Sequence, residues 1–141
     1  MLPDEQSKRF IAILNKKIET GKLINAFGHC LVGLTSKVTS EEMGTIPYAD
    51  KEGNPHGPVS NFPVIILKAE NSNEIRKVRA ECVARNIPYT DCTESMTIGT
   101  TEEQLVATRT SLENELEYCA ILMFGLTDEL RLFTKKFSLF K

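Results

Sequence analysis

Three short apolar runs, at residues 10–14, 63–67 and 118–124, constrain the fold of this 141-residue chain more than any other feature. Nearly every side chain in them is aliphatic or aromatic. Such runs are typical of strands that are covered on both faces, because a strand with one solvent-exposed face alternates apolar and polar residues. A further short strand is predicted at residues 87–92. The chain therefore builds an interior sheet.

In the segments between these strands, apolar residues recur at the spacing of a helix. Helices are predicted over residues 22–38, after Asn71, briefly over residues 101–108, and after Thr127. Asn71 and Glu74 resemble a capping box at the start of the second helix, and Thr127 is expected to cap the last one. Their apolar faces are formed by Leu23, Phe27, Leu31, Leu34 and Val38, by Ile75, Val78, Cys82 and Val83, and by Leu130, Phe133 and Phe137. The alternation predicts one domain, residues 1–141, with a three-layer α/β/α architecture and a mixed sheet of about four strands.

Residues 39–62 have no hydrophobic periodicity and contain six glycine or proline positions. Long segments of this composition are uncommon inside compact domains and are usually mobile or part of a site. We therefore predict a loop that is the least ordered internal segment of the chain.

Composition narrows the class of protein and of partner. No stretch approaches 18 apolar residues, and the N-terminal MLPDEQSKRF lacks the apolar core of a signal peptide, so we expect a cytoplasmic protein with no membrane partner. The net charge of −2 argues against a nucleic-acid partner, since neutralisation of phosphates dominates such binding. The four cysteines form no C-x-x-C pair, so we expect reduced thiols, no metal and no cofactor.

The first candidate site lies at the start of the predicted helix over 22–38. Lys22, Asn25 and His29 share a direction roughly opposite its apolar face, and Gly21 precedes them where backbone N–H groups are free. A free helix N-terminus beside a lysine suits a phosphate or carboxylate, so a small anionic ligand is the expected partner. The alternative is that these side chains only form the solvated face of the helix.

The second candidate site follows the predicted strand at residues 87–92. Asp91, Thr93 and Ser95 lie where ligands tend to bind in open α/β sheets, beyond the carboxyl end of a strand. The carboxylate could orient a water molecule, and the hydroxyls could hold a ligand. Ordinary turn chemistry explains the same residues equally well. We predict that Lys22 and Asp91 face one cleft, with His29 on the same side of the helix.

The sequence resembles the type II peptidyl-tRNA hydrolases in two features. Thr20-Gly21-Lys22 opens a helix that carries His29, and a later strand ends at Asp91. The segments at residues 25–26, 89–94 and 119–125 more closely resemble the domain-of-unknown-function family 2000, which is similar in fold to those hydrolases. The resemblance implies a peptidyl-tRNA hydrolase II-like fold, with Lys22, His29 and Asp91 as catalytic residues and a binding hydroxyl at Ser95.

Several positions depart from the hydrolase pattern. Ala26 replaces the glutamine expected in the first helix, and the glycine and arginine expected after Asp91 are absent. Residues 94–116 form an insertion, and the 39–62 segment is enlarged. Together with the net charge, these departures argue against tRNA as the partner.

Three functions therefore stay open at the level of sequence. The first is a hydrolase of a small acyl ester or related adduct, in which Lys22 holds an anion, Asp91 activates water and His29 assists. The second is a non-catalytic binding or regulatory module for a small anionic metabolite, which uses the same cleft with Gly21, Asn25, Thr93 and Ser95 as binding residues. The third and narrowest is peptidyl-tRNA hydrolysis. A homodimer also stays open.

Overall fold

The computed structural model of the protein describes residues 2–141 and consists of a mixed sheet with helices on both faces. The order along the chain is β1 (Lys8–Asn15), α1 (Thr20–Leu34), β2 (Thr45–Ala49), β3 (Pro55–Ser60), β4 (Val64–Ala69), α2 (Ser72–Ala84), β5 (Tyr89–Thr93), α3 (Thr101–Arg109), β6 (Tyr118–Leu126), α4 (Thr127–Thr134) and β7 (Ser138–Leu139).

The main sheet has five strands in the order β5-β6-β1-β4-β7, and not about four as predicted. The added strand is β7, a two-residue edge strand that pairs with the end of β4. β1 runs parallel to β4 and antiparallel to β6, and β5 is antiparallel to β6. The prediction of a mixed sheet is therefore confirmed.

Two hydrophobic clusters, one on each face of the sheet, explain the three layers. Along β1, Phe10, Ala12 and Leu14 pack toward α1, whereas Ile11 and Ile13 pack toward α2 and α4. This division follows from the period of two in a strand, which sends successive side chains to opposite faces. All five side chains are almost fully buried, which is why this run has no polar position.

The helices correct several details of the sequence prediction. α1 ends at Leu34 and not at Val38, which is buried in the turn that follows. Asn71 caps α2 as predicted, because its Oδ1 accepts from the Glu74 N–H at 3.1 Å. Val83 is exposed and does not join the apolar face of α2.

The predicted cap of the last helix is wrong. Thr127 is the first residue of α4, and its hydroxyl donates to the Gln6 carbonyl at 2.6 Å. It therefore connects the helix to the segment before β1. The predicted brief helix over residues 101–108 is confirmed as α3.

The segment at residues 39–62 is not a structureless loop. β2 and β3 form a two-stranded antiparallel hairpin, whose side chains are almost all exposed. Phe62, which follows the hairpin, is buried against Phe124 in the α1-side cluster. The hairpin thus adjoins the amino-terminal end of β4. Among the helices of residues 2–141, none combines the length and apolar character needed to cross a membrane.

Candidate functional site

The strands β1 and β4 run parallel and place two polar chain segments at the same edge of the sheet, the edge that the carboxyl ends of both strands form. Asn15 is the last residue of β1, and Asn71 and Ser72 follow β4 at the start of α2. The register sets Asn15 opposite Ala69, so both strands end at the same level. The carboxyl ends of parallel strands are the usual position of ligand sites in open α/β sheets.

A cavity of about 490 Å³ opens at this edge, and its lining is predominantly polar. We call it the Asn15 cavity. Its amide and hydroxyl side chains are those of Asn15, Asn71, Ser72, Asn73 and Asn114. Its charged side chains are those of Lys17, Arg76, Glu94 and Glu117. Ile18 supplies the one aliphatic side chain of the lining.

The start of β6 is fixed to the floor of the Asn15 cavity by two buried side chains. Asn15 donates from Nδ2 to the Tyr118 carbonyl at 2.9 Å, and its Oδ1 accepts from the Lys17 N–H at 3.0 Å. Ser72 accepts from the Tyr118 N–H at 2.9 Å and donates to Oε2 of Glu117 at 2.5 Å. The N–H and the carbonyl of Tyr118 are thus both satisfied by side chains, as buried peptide groups require.

Most cations around the Asn15 cavity are already paired. The Arg76 guanidinium donates to Glu113 at 2.7 Å and to the Leu116 carbonyl at 2.6 Å. Lys22 lies 3.0 Å from Glu94, and the hydrogen bond with this carboxylate raises the pKa of the lysine. By contrast, the Lys17 ammonium forms no ion pair with any residue that the structure describes.

Lys22 and Asp91, predicted to share a cleft, have different ion-pair partners in the structure. Lys22, just behind Gly21 in the first turn of α1, contacts Glu94 beside the Asn15 cavity. Asp91 instead approaches the guanidinium of Arg79 on α2, with 3.5 Å between Oδ2 and Nε. Lys22 is thus paired on the α1 side of the sheet, whereas Asp91, in β5, is paired with a residue of α2.

Strand alternation is the physical reason for this separation. Cys92 packs with the α1-side cluster and Tyr89 with the α2-side cluster, so Asp91 shares the face of Tyr89. Only 17% of the Asp91 side chain is exposed. Burial raises the pKa of this carboxyl, and the neighbouring Arg79 opposes that shift.

His29 and Asn25 border a second groove, of about 480 Å³, between α1 and the segment that carries α3. Asp91 and Gln104 also line it, but Lys22 does not. The structure therefore brings His29, Asn25 and Asp91 to one groove, whereas Lys22 pairs with Glu94 outside it. The catalytic roles assigned to these residues stay predictions.

Thr93 and Ser95 come together in a chain of hydroxyl groups. Thr93 and Ser95 are 2.7 Å apart, Ser95 and Thr108 are 2.8 Å apart, and Thr108 donates to the Gln104 carbonyl at 2.8 Å. Thr93 is buried, and these contacts attach α3 to the end of β5. Their hydrogen bonds support a structural role, and ligand binding by Thr93 and Ser95 stays a prediction.

The sequence interpretation missed Asn15, Ser72 and Glu117. A polar residue at the end of an apolar run was the available signal for Asn15. Ser72 looked like an ordinary first residue after a cap, and Glu117 had no signal at all. Within residues 2–141, no three His, Cys, Asp or Glu side chains assemble in a way that could hold a metal ion.

Comparison with known proteins identifies a fold and a family. The fold is similar to that of a solved protein of unknown function, Atu0240 from Agrobacterium tumefaciens strain C58, with a TM-score of 0.80. The two chains are 17% identical, and the similarity covers 96% of this chain and 98% of the other. No curated protein matches the sequence. The sequence model of the DUF2000 family, described as a protein of unknown function, matches residues 8–141. Because that match spans nearly the whole chain, the protein belongs to the DUF2000 family.

Proposed function

We propose that this protein binds a small polar metabolite with at least one anionic group in the Asn15 cavity. The observation that carries this proposal is the lining, which combines four asparagine side chains with a lysine that has no ion-pair partner among the described residues. The volume of about 490 Å³ lies in the range of small-molecule sites. The proposal corresponds to the binding-module hypothesis, transferred to a different cavity.

The Lys17 ammonium is the group that would hold the anion. Amide side chains both donate and accept hydrogen bonds, so Asn71, Asn73 and Asn114 suit a ligand with hydroxyl or amino groups. The amino-terminal ends of α1 and α2 also lie at this edge, where their partial positive charge favours an anion.

Pairing of the surrounding cations supports a small ligand over a nucleic acid. A nucleic-acid backbone requires a continuous path of unpaired cations, and Lys16, Lys17 and Lys22 are the candidates in this region. Lys16 pairs with Glu70 and Lys22 pairs with Glu94, which leaves Lys17 alone. Such an arrangement suits one anionic group better than a chain of phosphates.

The two hydrolase hypotheses are not favoured in their original form. Acyl-ester or peptidyl-tRNA hydrolysis by Lys22, His29 and Asp91 would need the three side chains to converge. The separation of Lys22 from Asp91 gives such a mechanism no support. The resemblance to type II peptidyl-tRNA hydrolases therefore stays a proposal about ancestry and fold.

Thermal-shift measurements with inorganic phosphate, phosphorylated metabolites, di- and tricarboxylates and amino acids test the proposal, since a ligand of the folded state raises Tm. Lys17→Ala is expected to weaken binding of the best ligand by about 10- to 100-fold, the usual effect of losing a charge-assisted hydrogen bond. Lys51→Ala, in the exposed turn of the hairpin, is the matched control and should bind like the wild type. A panel without any binder, or equal binding by both variants, would refute the proposal.

A further inference from the structure

The hydroxyl of Ser72 is placed as a reactive group would be. Ser72 is 8% exposed and lines the Asn15 cavity, so the bulk of the protein shields it while a bound molecule can reach it. Its Oγ donates to Oε2 of Glu117 at 2.5 Å. That distance is typical of a hydroxyl that donates to an ionised carboxylate.

Glu117 is available as a base. Among the described residues its carboxylate forms no ion pair, whereas its neighbours Glu94 and Glu113 pair with Lys22 and Arg76. An adjacent cation would stabilise the carboxylate and reduce its basicity. Of these three carboxylates, the one next to Ser72 is therefore the one without a paired cation among the described residues.

The Tyr118 N–H completes the arrangement. It donates to the Ser72 Oγ at 2.9 Å and so fixes the hydroxyl relative to the start of β6. The same N–H would stabilise negative charge that develops on Oγ as the proton moves toward Glu117. Serine, carboxylate base and backbone donor are thus in contact before any substrate enters.

We propose that Ser72 is a nucleophile for polar acyl esters bound in the Asn15 cavity, with Glu117 as its general base. The inference rests on the proposed function, since the cavity that binds the metabolite would also hold the acyl donor. The amide-rich lining favours a short polar acyl group over a long alkyl chain.

The reaction proceeds in two steps, acylation of Ser72 and hydrolysis of the acyl-serine. The Oγ of Ser72 forms a bond to the acyl carbon while its proton passes to Glu117, and the bond to the leaving alcohol breaks as Glu117 returns that proton to the departing oxygen. Water then attacks the acyl carbon of the acyl-serine while its proton passes to Glu117. The bond between Oγ and the acyl carbon breaks as Glu117 returns that proton to Oγ, and a carboxylic acid leaves. No oxidant or reductant is required.

Labelling with a fluorophosphonate, followed by intact-mass measurement and peptide mapping, tests the assignment. The full-length wild type should acquire one adduct, on Ser72. Glu117→Gln keeps an oxygen that accepts from Ser72 but removes the base, and is expected to slow labelling about 100-fold. Glu115→Gln is the matched control, because Glu115 accepts from the Leu112 N–H away from Ser72, and it should label at the wild-type rate.

Two further results separate the outcomes. Ser72→Ala should abolish the adduct, and melting curves of the Gln variants show whether both stay folded. The assignment of Ser72 as the nucleophile would be overturned if the folded wild type acquires no adduct on Ser72. Equal labelling rates for Glu117→Gln and Glu115→Gln would also overturn it. Ligand binding without labelling would overturn this inference alone, whereas labelling without any ligand would overturn the proposed binding function alone.

Discussion

Replacement of Asn15 by alanine should destabilise the fold, because Asn15 holds the start of β6 through a buried hydrogen bond. Asn15 is 2% exposed, and its side chain makes two hydrogen bonds to backbone groups. Alanine removes the side chain that donates to the Tyr118 carbonyl. Because Tyr118 is only 1% exposed, water cannot easily replace that donor. The Lys17 N–H lies near solvent and can bind water instead, so most of the cost comes from the carbonyl.

The expected loss is about 2 kcal/mol in the free energy of unfolding, from one unsatisfied buried group at about 1–3 kcal/mol. For a chain of this length that corresponds to a fall in Tm of about 6–8 °C. Urea denaturation followed by circular dichroism, without added ligand, measures it as a lower midpoint at unchanged slope. Asn15→Asp should be less stable still at neutral pH, because a carboxylate would face the Tyr118 carbonyl oxygen.

Asn114→Ala provides the matched control. Asn114 lines the same cavity but its side chain forms no hydrogen bond within residues 2–141, so its loss should change stability by less than about 0.5 kcal/mol. Equal stability of the two alanine variants, or an Asn15→Asp protein as stable as the wild type, would refute the reasoning.

Three further predictions concern other parts of the molecule. Hydrogen bonds from His56, from Asn54 and from the Glu52 N–H lower the pKa of Asp50 from 3.8 to about 2. His56→Ala removes the largest of these effects and should raise that pKa, and an unchanged midpoint in an NMR titration would contradict this. Since these bonds favour the ionised carboxyl, their contribution to the stability of the hairpin is lost as the pH falls from about 4 to about 2. Burial raises the pKa of Cys30 and Cys82 to about 12, so iodoacetamide should label these two thiols slowly in the native protein. After denaturation all four cysteines should be labelled. Rapid labelling of Cys30 and Cys82 in the native protein would contradict this. Amide hydrogens of β2 and β3 should exchange faster than those of β4, because the hairpin side chains are almost all exposed, and similar protection would contradict the predicted mobility.

The sheet was largely predictable from the sequence, and the hairpin was not. The run at residues 10–14 is buried on both faces, so every position carries the apolar signal. β2 and β3 have no buried face, and so no alternation marks them in the sequence. Glycine and proline in their sequences also weaken strand propensity, which favours the interpretation as a loop.

The site was harder to predict because it depends on sheet order. The alternation along β5 was readable, but it does not say which face of the strand meets α1. The helix α1 packs on the Cys92 face, and the Asp91 carboxylate approaches Arg79 on α2 and not Lys22. Likewise, Glu117 reaches Ser72 only because β6 lies next to β1, and no local pattern in the sequence indicates that neighbour.

The position of β1 between β4 and β6 has a consequence for how the protein folds. Phe10, near the start of the chain, pairs with Phe124, near its end. Contacts between such distant positions give a high contact order, which slows folding because a long loop must close first. During synthesis the first strand cannot complete its core until the last third of the chain has left the ribosome. A nascent chain that stops before β6 would therefore expose the apolar side chains of β1 to chaperones and proteases.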